Sequence, residues 1–159
     1  MNSKNQPAGS TNASLKILEA ARAVASRDGA GKITIDAVAQ EAGLSKGGVL
    51  YNFPSKKALI SGLLDQMISA HRDLIEAVPE QAQSRTLRGH LETVLKPRDG
   101  DVDLSMAILA AAASDPQLLD SLRAEMSDQI EHILSETQDA STAMVVVLAI
   151  QGLRFQNLL

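Results

Sequence analysis

The chain has 159 residues, 45% of them apolar, no cysteine and a net charge of −4, which excludes disulfides, thiolate metal sites and cysteine redox chemistry and leaves material for one domain or two small ones. The charge is unevenly spread: residues 1–60 carry eight Lys or Arg against four acids, and residues 61–159 carry seven against fifteen. A locally basic end on an acidic remainder fits a phosphate-contacting head on a body that does not bind nucleic acid, although a lysine-rich solvated face would read the same way.

Residues 1–13 are polar and lack the apolar stretch of a signal peptide, so they read as a flexible arm on a cytoplasmic protein. From Leu15 onward apolar residues recur at helical spacing with no strand alternation, which predicts an all-α fold. A first helix runs from about Ser14 to Asp28, with Ile17, Leu18, Ala21, Val24 and Ala25 as its apolar stripe and Gly29 and Gly31 ending it. Thr34 caps a second helix, whose Ile35, Val38, Ala39 and Ala42 share one face and which Gly43 stops. A third begins after Ser45 and ends near Phe53, because Pro54 disfavours helical backbone before it. Ser55 then caps a long fourth helix reaching about Val78.

Beyond Pro79 the pattern predicts a fifth helix near Ser84 to Leu95, a turn at Lys96 to Asp101, a sixth from about Asp103 to Ala113 and a seventh over about Pro116 to Glu136. An eighth starts after Asp139 and is apolar nearly all round, which implies burial on several sides, in the core or against a second subunit. The longest apolar run, Ala143 to Ile150, is far short of the ~20 residues a membrane-spanning helix needs.

The functional pattern is the pair of short helices around Gly43. In a helix-turn-helix the first helix braces the second, which presents its N-terminal end to base edges while flanking groups hold phosphates. Ala39 and Ala42 are small enough for close packing, and Leu44, Val49 and Phe53 pin the second helix of the pair. That leaves Ser45, Lys46, Gly47, Gly48, Tyr51 and Asn52 outward. Two glycines there cost roughly 1 kcal/mol each in helix propensity relative to Ala, a penalty that either marks a close approach or merely frays a surface turn.

In order and spacing, I-L-E-A-A at 17–21, T-I-D-A-V-A at 34–39, A-G-L-S-K-G at 42–47 and Y-N-F-P-S-K-K-A-L at 51–59 resemble the DNA-binding domain of the tetracycline-repressor (TetR) family of transcriptional regulators, over about Leu15 to Leu64. The resemblance implies a role for each matching residue. Thr34 opens the second helix beside a phosphate. Ser45, Lys46, Gly47 and Gly48 meet bases and backbone, Tyr51 and Asn52 hold phosphates of the other strand, and Lys56 reaches a phosphate from the start of the fourth helix. Leu50 stands where many members carry tyrosine and Asn52 where many carry histidine, so base preference does not transfer.

The resemblance also implies a homodimeric repressor on a double-stranded, pseudo-palindromic DNA operator, released by a small-molecule effector of unknown identity. Gly62 is then a flex point where the fourth helix reorients. The division is an arm (1–13), a DNA-binding domain (14–60) and an effector-binding and dimerisation domain (61–159). In the last, Leu87, Leu91, Val94, Met106, Leu109, Leu118, Leu122, Met126 and Ile130 are candidate lining, though most read equally as core. The chain stops at Leu158-Leu159 where the family usually has one more helix, so only part of a dimer interface is expected.

Nothing points to catalysis, a cofactor or a metal. Asp99, Asp101 and Asp103 alternate like a calcium loop, but Leu104 and Ala110 stand where that loop needs glycine and glutamate. His71, His90 and His132 lie on separate predicted helices without a ligand partner. The alternative to a DNA reader is an all-α dimerisation or small-ligand module without sequence-specific DNA binding.

Overall fold

Apolar stripes at helical spacing can be buried only by packing helix on helix, and the computed structural model does this throughout. It describes residues 8–96 and 100–157. Residues 1–7 of the predicted arm, the middle of the predicted turn with Asp99, and Leu158-Leu159 lie outside the described residues. The helices are α1 (Ala8–Asp28), α2 (Ile35–Ala42), α3 (Lys46–Asn52), α4 (Lys56–Glu76), α5 (Arg85–Leu95), α6 (Asp101–Ala112), α7 (Asp120–Ser135) and α8 (Ala140–Gln156), with 3-10 turns at Ala30–Lys32 and Pro116–Leu119. No strand occurs among the described residues.

The boundaries follow local chemistry. Thr34, Ser45 and Ser55 each accept a hydrogen bond from the backbone N–H three residues on, at 3.1, 3.0 and 3.1 Å, so the starts of α2, α3 and α4 are all capped as the sequence predicts. Gly43 takes the left-handed conformation, φ 62°, that ends α2. Three boundaries differ from expectation. First, α1 begins at Ala8 and takes in residues 8–13, because Ser and Asn carry only small helix penalties that a helix already held by its packed stripe absorbs. Second, α6 begins at Asp101, two residues early, after a left-handed Gly100. Third, the predicted seventh helix is divided. Asp115 precedes Pro116 but its carboxylate is taken by Lys57, so it caps nothing, and the chain makes a 3-10 turn before α7 starts at Asp120.

One apolar core runs through the N-terminal helices into α4 and α6. Ile17, Ala21 and Ala25 of α1, Ile33, Val38 of α2, Val49 of α3, Leu59, Ile60, Leu63 and Leu64 of α4 and Leu104 and Ile108 of α6 are all buried in it. At about 1.5–3 kcal/mol for each large aliphatic side chain removed from water, this cluster dominates the stability of the N-terminal half. A smaller cluster of Ile133, Ala143 and Val147 with Leu87 joins α5, α7 and α8. On α8 only one face is buried, Ala143, Val147 and Ile150, while Val145, Leu148, Leu153 and Phe155 are exposed. The expected burial on several sides is therefore not met within one chain.

Ion pairs tie α6 to the N-terminal helices at both of its ends. Arg22 of α1, itself buried, holds Asp101 at 2.5 Å, and Lys57 of α4 pairs with Asp115 just past α6, keeping that carboxyl below its usual range. Farther along, α5 crosses α4 so closely that a Cβ on Gly89 would lie 2.5 Å from the Ile75 Cα.

Candidate nucleic-acid interface and ligand cavity

The helix pair around Gly43 is assembled as a braced unit. Val38, Ala39 and Ala42 of α2 are buried against α1, Val49 anchors α3 in the same core, and Leu44 and Phe53 pack against it. What remains faces outward. Ser45, Lys46 and Gly47 are exposed, Tyr51 is 82% exposed, and Lys56 is exposed at the first position of α4. Thr34, at the start of α2, is exposed as well. Lys46 reaches back to Asp36 at 3.0 Å, which places the beginning of α3 beside the first turn of α2. Lys56 has no ion-pair partner among the described residues.

The two glycines of α3 are not demanded by the fold. A Cβ on Gly47 would meet only the Ser45 Oγ, at 3.9 Å, and one on Gly48 the same atom at 3.4 Å and Leu44 Cβ at 3.9 Å, ordinary contacts. Asn52 is placed differently from the others. It is half-buried, its Oδ1 accepts from the Ser14 hydroxyl at 2.9 Å and its Nδ2 donates to the Gly48 carbonyl at 2.9 Å. It thus joins α3 to α1.

A cavity of about 250 Å³ lies between α4, α5, α6, α7 and α8. Of the nine apolar residues expected to line it, Val94, Leu109, Leu122 and Met126 do. Leu87 packs in the smaller core, Leu118 is buried beneath the Pro116–Leu119 turn, and Leu91 and Met106 face solvent on the far sides of α5 and α6. Ile130 is half-buried outside the lining. Met67 and Ile68 of α4 complete the apolar wall.

The polar lining was not legible from motifs. Asp101, His71, Glu125, Gln129 and Arg154 all reach the cavity. Glu125, buried, receives Arg72 Nε at 2.9 Å and a second bond from Arg72 Nη2, and its other oxygen accepts from Gln129 at 2.7 Å. Arg72 first, then the Gln129 bond, holds its carboxyl below the usual range. Arg154 donates to Thr93 Oγ1 and lies 3.5 Å from His90 Nδ1. Burial, followed by the nearby Arg154, pushes both His71 and His90 down to about 4, so both imidazoles are neutral at neutral pH. The sequence signal that could have found these residues is polarity in an apolar stripe: Glu125 and Gln129 lie four apart on α7, and Arg154 continues the buried face of α8 four residues after Ile150. Among the described residues no group of acids, His or Cys could hold a metal, and no helix is long and apolar enough to cross a membrane.

A braced, outward-facing helix-turn-helix joined through α4 to a helical body with an internal cavity defines a DNA-binding regulator. Two family models match the chain: the bacterial regulatory proteins of the tetR family over residues 17–63, and the tetracyclin repressor-like C-terminal domain over residues 84–159. The chain belongs to the TetR family of transcriptional regulators, which bind DNA, and not to a family of enzymes. Among solved structures it is similar to a TetR-family member from Streptomyces coelicolor A3 (25% identity, TM-score 0.70, covering 89% of this chain and 84% of that one). It is also similar to the multidrug binding protein EbrR complexed with imidazole (25% identity, TM-score 0.66, 89% and 77%). A protein from Saccharomonospora viridis in complex with choline shares the fold (20% identity, TM-score 0.74, 92% and 85%). No curated protein matches the chain.

Proposed function

We propose that the chain is a cytoplasmic repressor that binds a pseudo-palindromic operator as a homodimer and leaves it when a small molecule fills the cavity. Residues 14–60 form the reading head and residues 61–159 the effector-binding and dimerising body. The observation that carries this reading is the exposed tip of α3: Lys46 and Tyr51 point outward beside two glycines that no neighbour in the chain requires.

In this reading the two α3 helices of a dimer enter successive major grooves roughly 34 Å apart. Ser45, Lys46, Gly47 and Gly48 meet base edges and backbone. Thr34 and Tyr51 hold phosphates, and Lys56 adds a phosphate contact at the N-terminus of α4. Asn52 serves chiefly by fixing α3 on α1, with phosphate contact left to its exposed edge. Complexes of the similar EbrR with imidazole, malachite green and proflavin, and of the Saccharomonospora viridis protein with choline, support an effector site in the body.

The test is to sequence the genomic fragments that the purified protein retains, then to measure affinity for the enriched site against salt. A palindromic consensus, a steep salt dependence, and a shallower slope by about one for Lys46→Ala and for Lys56→Ala are expected. Retention of no sequence above background, or variants indistinguishable from the parent, would leave only a ligand-binding helical module.

A further inference from the structure

The cavity holds three formal charges, and they are not balanced alike. Asp101 is paired with Arg22 at 2.5 Å, and Glu125 is paired with Arg72 and bonded by Gln129. Both acids are neutralised from within the chain. Arg154 is not: its partners are the Thr93 hydroxyl and the neutral His90 ring, both through Nη2, and no carboxylate of the described residues lies within ion-pair distance. Its Nε and Nη1 donors have no partner among the described residues. Burial holds its affinity for the proton below the usual range, with no neighbouring acid to restore it.

A half-buried guanidinium with spare donors is suited to one ligand chemistry above others. A carboxylate accepts charge-assisted N–H bonds from such a donor and supplies the missing counter-charge. The surrounding wall of Met67, Ile68, Leu109, Leu122 and Met126 asks for an apolar body. At about 250 Å³ the space is below the roughly 300–1,000 Å³ of pockets that hold drug-sized molecules. We propose that the ligand of this cavity is a small amphipathic monocarboxylate, its head on Arg154 and its aliphatic or single-ring body along α4, α6 and α7. This rests on the reading of the cavity as an effector site.

Titration calorimetry of the full chain with octanoate, 3-phenylpropanoate, octan-1-ol, octylammonium and choline tests it. At least one of the two carboxylates binds, at least about ten-fold tighter than the alcohol or either cation, as expected for a charge-assisted pair out of bulk water. Arg154→Gln removes the carboxylate's advantage over the alcohol, and Arg154→Lys, which keeps the charge, retains part of it. Octylammonium or choline binding more tightly than both carboxylates, an unchanged affinity in Arg154→Gln, or no binding of either carboxylate overturns the proposal. Repeating the titrations on the DNA-bound protein separates the two levels. A carboxylate that binds without releasing DNA supports the ligand class and removes the effector role, whereas a cation that binds and releases DNA does the reverse.

Discussion

Three glycines have three different reasons. Gly43 is fixed by a left-handed backbone at the end of α2, and Gly89 by a crossing helix, since a Cβ there would meet the Ile75 Cα at 2.5 Å and its Cγ1 at 2.6 Å. Neither reason holds at Gly47, where a methyl group fits. Gly89→Ala is therefore expected to lose about 2–3 kcal/mol in urea denaturation, because backbone must move to admit it. Gly47→Ala is expected to gain up to about 0.5 kcal/mol, helix propensity outweighing nothing lost inside the chain, while weakening operator binding. Full operator affinity in Gly47→Ala would show that no close approach occurs at that residue. Gly62 belongs with Gly89: a Cβ there would lie 2.7 Å from the Phe53 ring. It is packed under the end of α3. From residue types alone a packing glycine and a flexible one look the same, which is why the contact of Gly62 with Phe53 was not legible while Gly43, set between a capped helix and a second cap, was.

The starts of α2, α3, α4 and α8 were readable because Thr34, Ser45, Ser55 and Asp139 cap them with their own side chains. At the start of α7 a tertiary partner stands at the shifted boundary: Lys57 takes the Asp115 carboxylate. The periodicity of α8 was harder, since an all-apolar helix does not say which side faces what. In the structure Val145, Leu148 and Phe155 line up at i, i+3 and i+10, with Gly152 between them, as an exposed stripe opposite the buried Ala143, Val147 and Ile150. Such a face is what a second copy would cover. Leu148→Glu, exposed in the single chain and so nearly neutral for its folding, is expected to convert a dimer to monomers in light scattering. A variant that stays dimeric would move the interface elsewhere.

At the scale of the molecule, the helices and caps of the head were legible and the cavity hardly at all. Recognition-helix residues follow each other in sequence, whereas Met67, His71, Asp101, Glu125 and Arg154 come from four helices whose rotations only packing decides. One consequence concerns acidity. His71 and His90 sit near 4 when folded and near the ordinary 6.5 when unfolded, so between those values the unfolded chain takes up protons that the folded chain refuses. Their contribution is intact above about pH 6.5 and falls away as the pH drops toward 4. A loss on the order of 2 kcal/mol between pH 7 and pH 5 is expected by denaturant titration, flattened in the double variant His71→Gln and His90→Gln. Glu125, whose carboxyl is held low, adds its own loss only at still lower pH.

The crossing at Gly89 and Ile75 has a mechanical corollary. The beginning of α4 is rooted in the reading head through Leu59, Ile60 and Leu63, and its distal end is gripped by α5 with no room for a methyl group. The helix is thus held at both ends. The turns between Leu64 and Ile75, between those two fixed ends, carry Met67, Ile68 and His71 along the wall of the cavity, so a ligand there presses on the length of α4 that joins head to body.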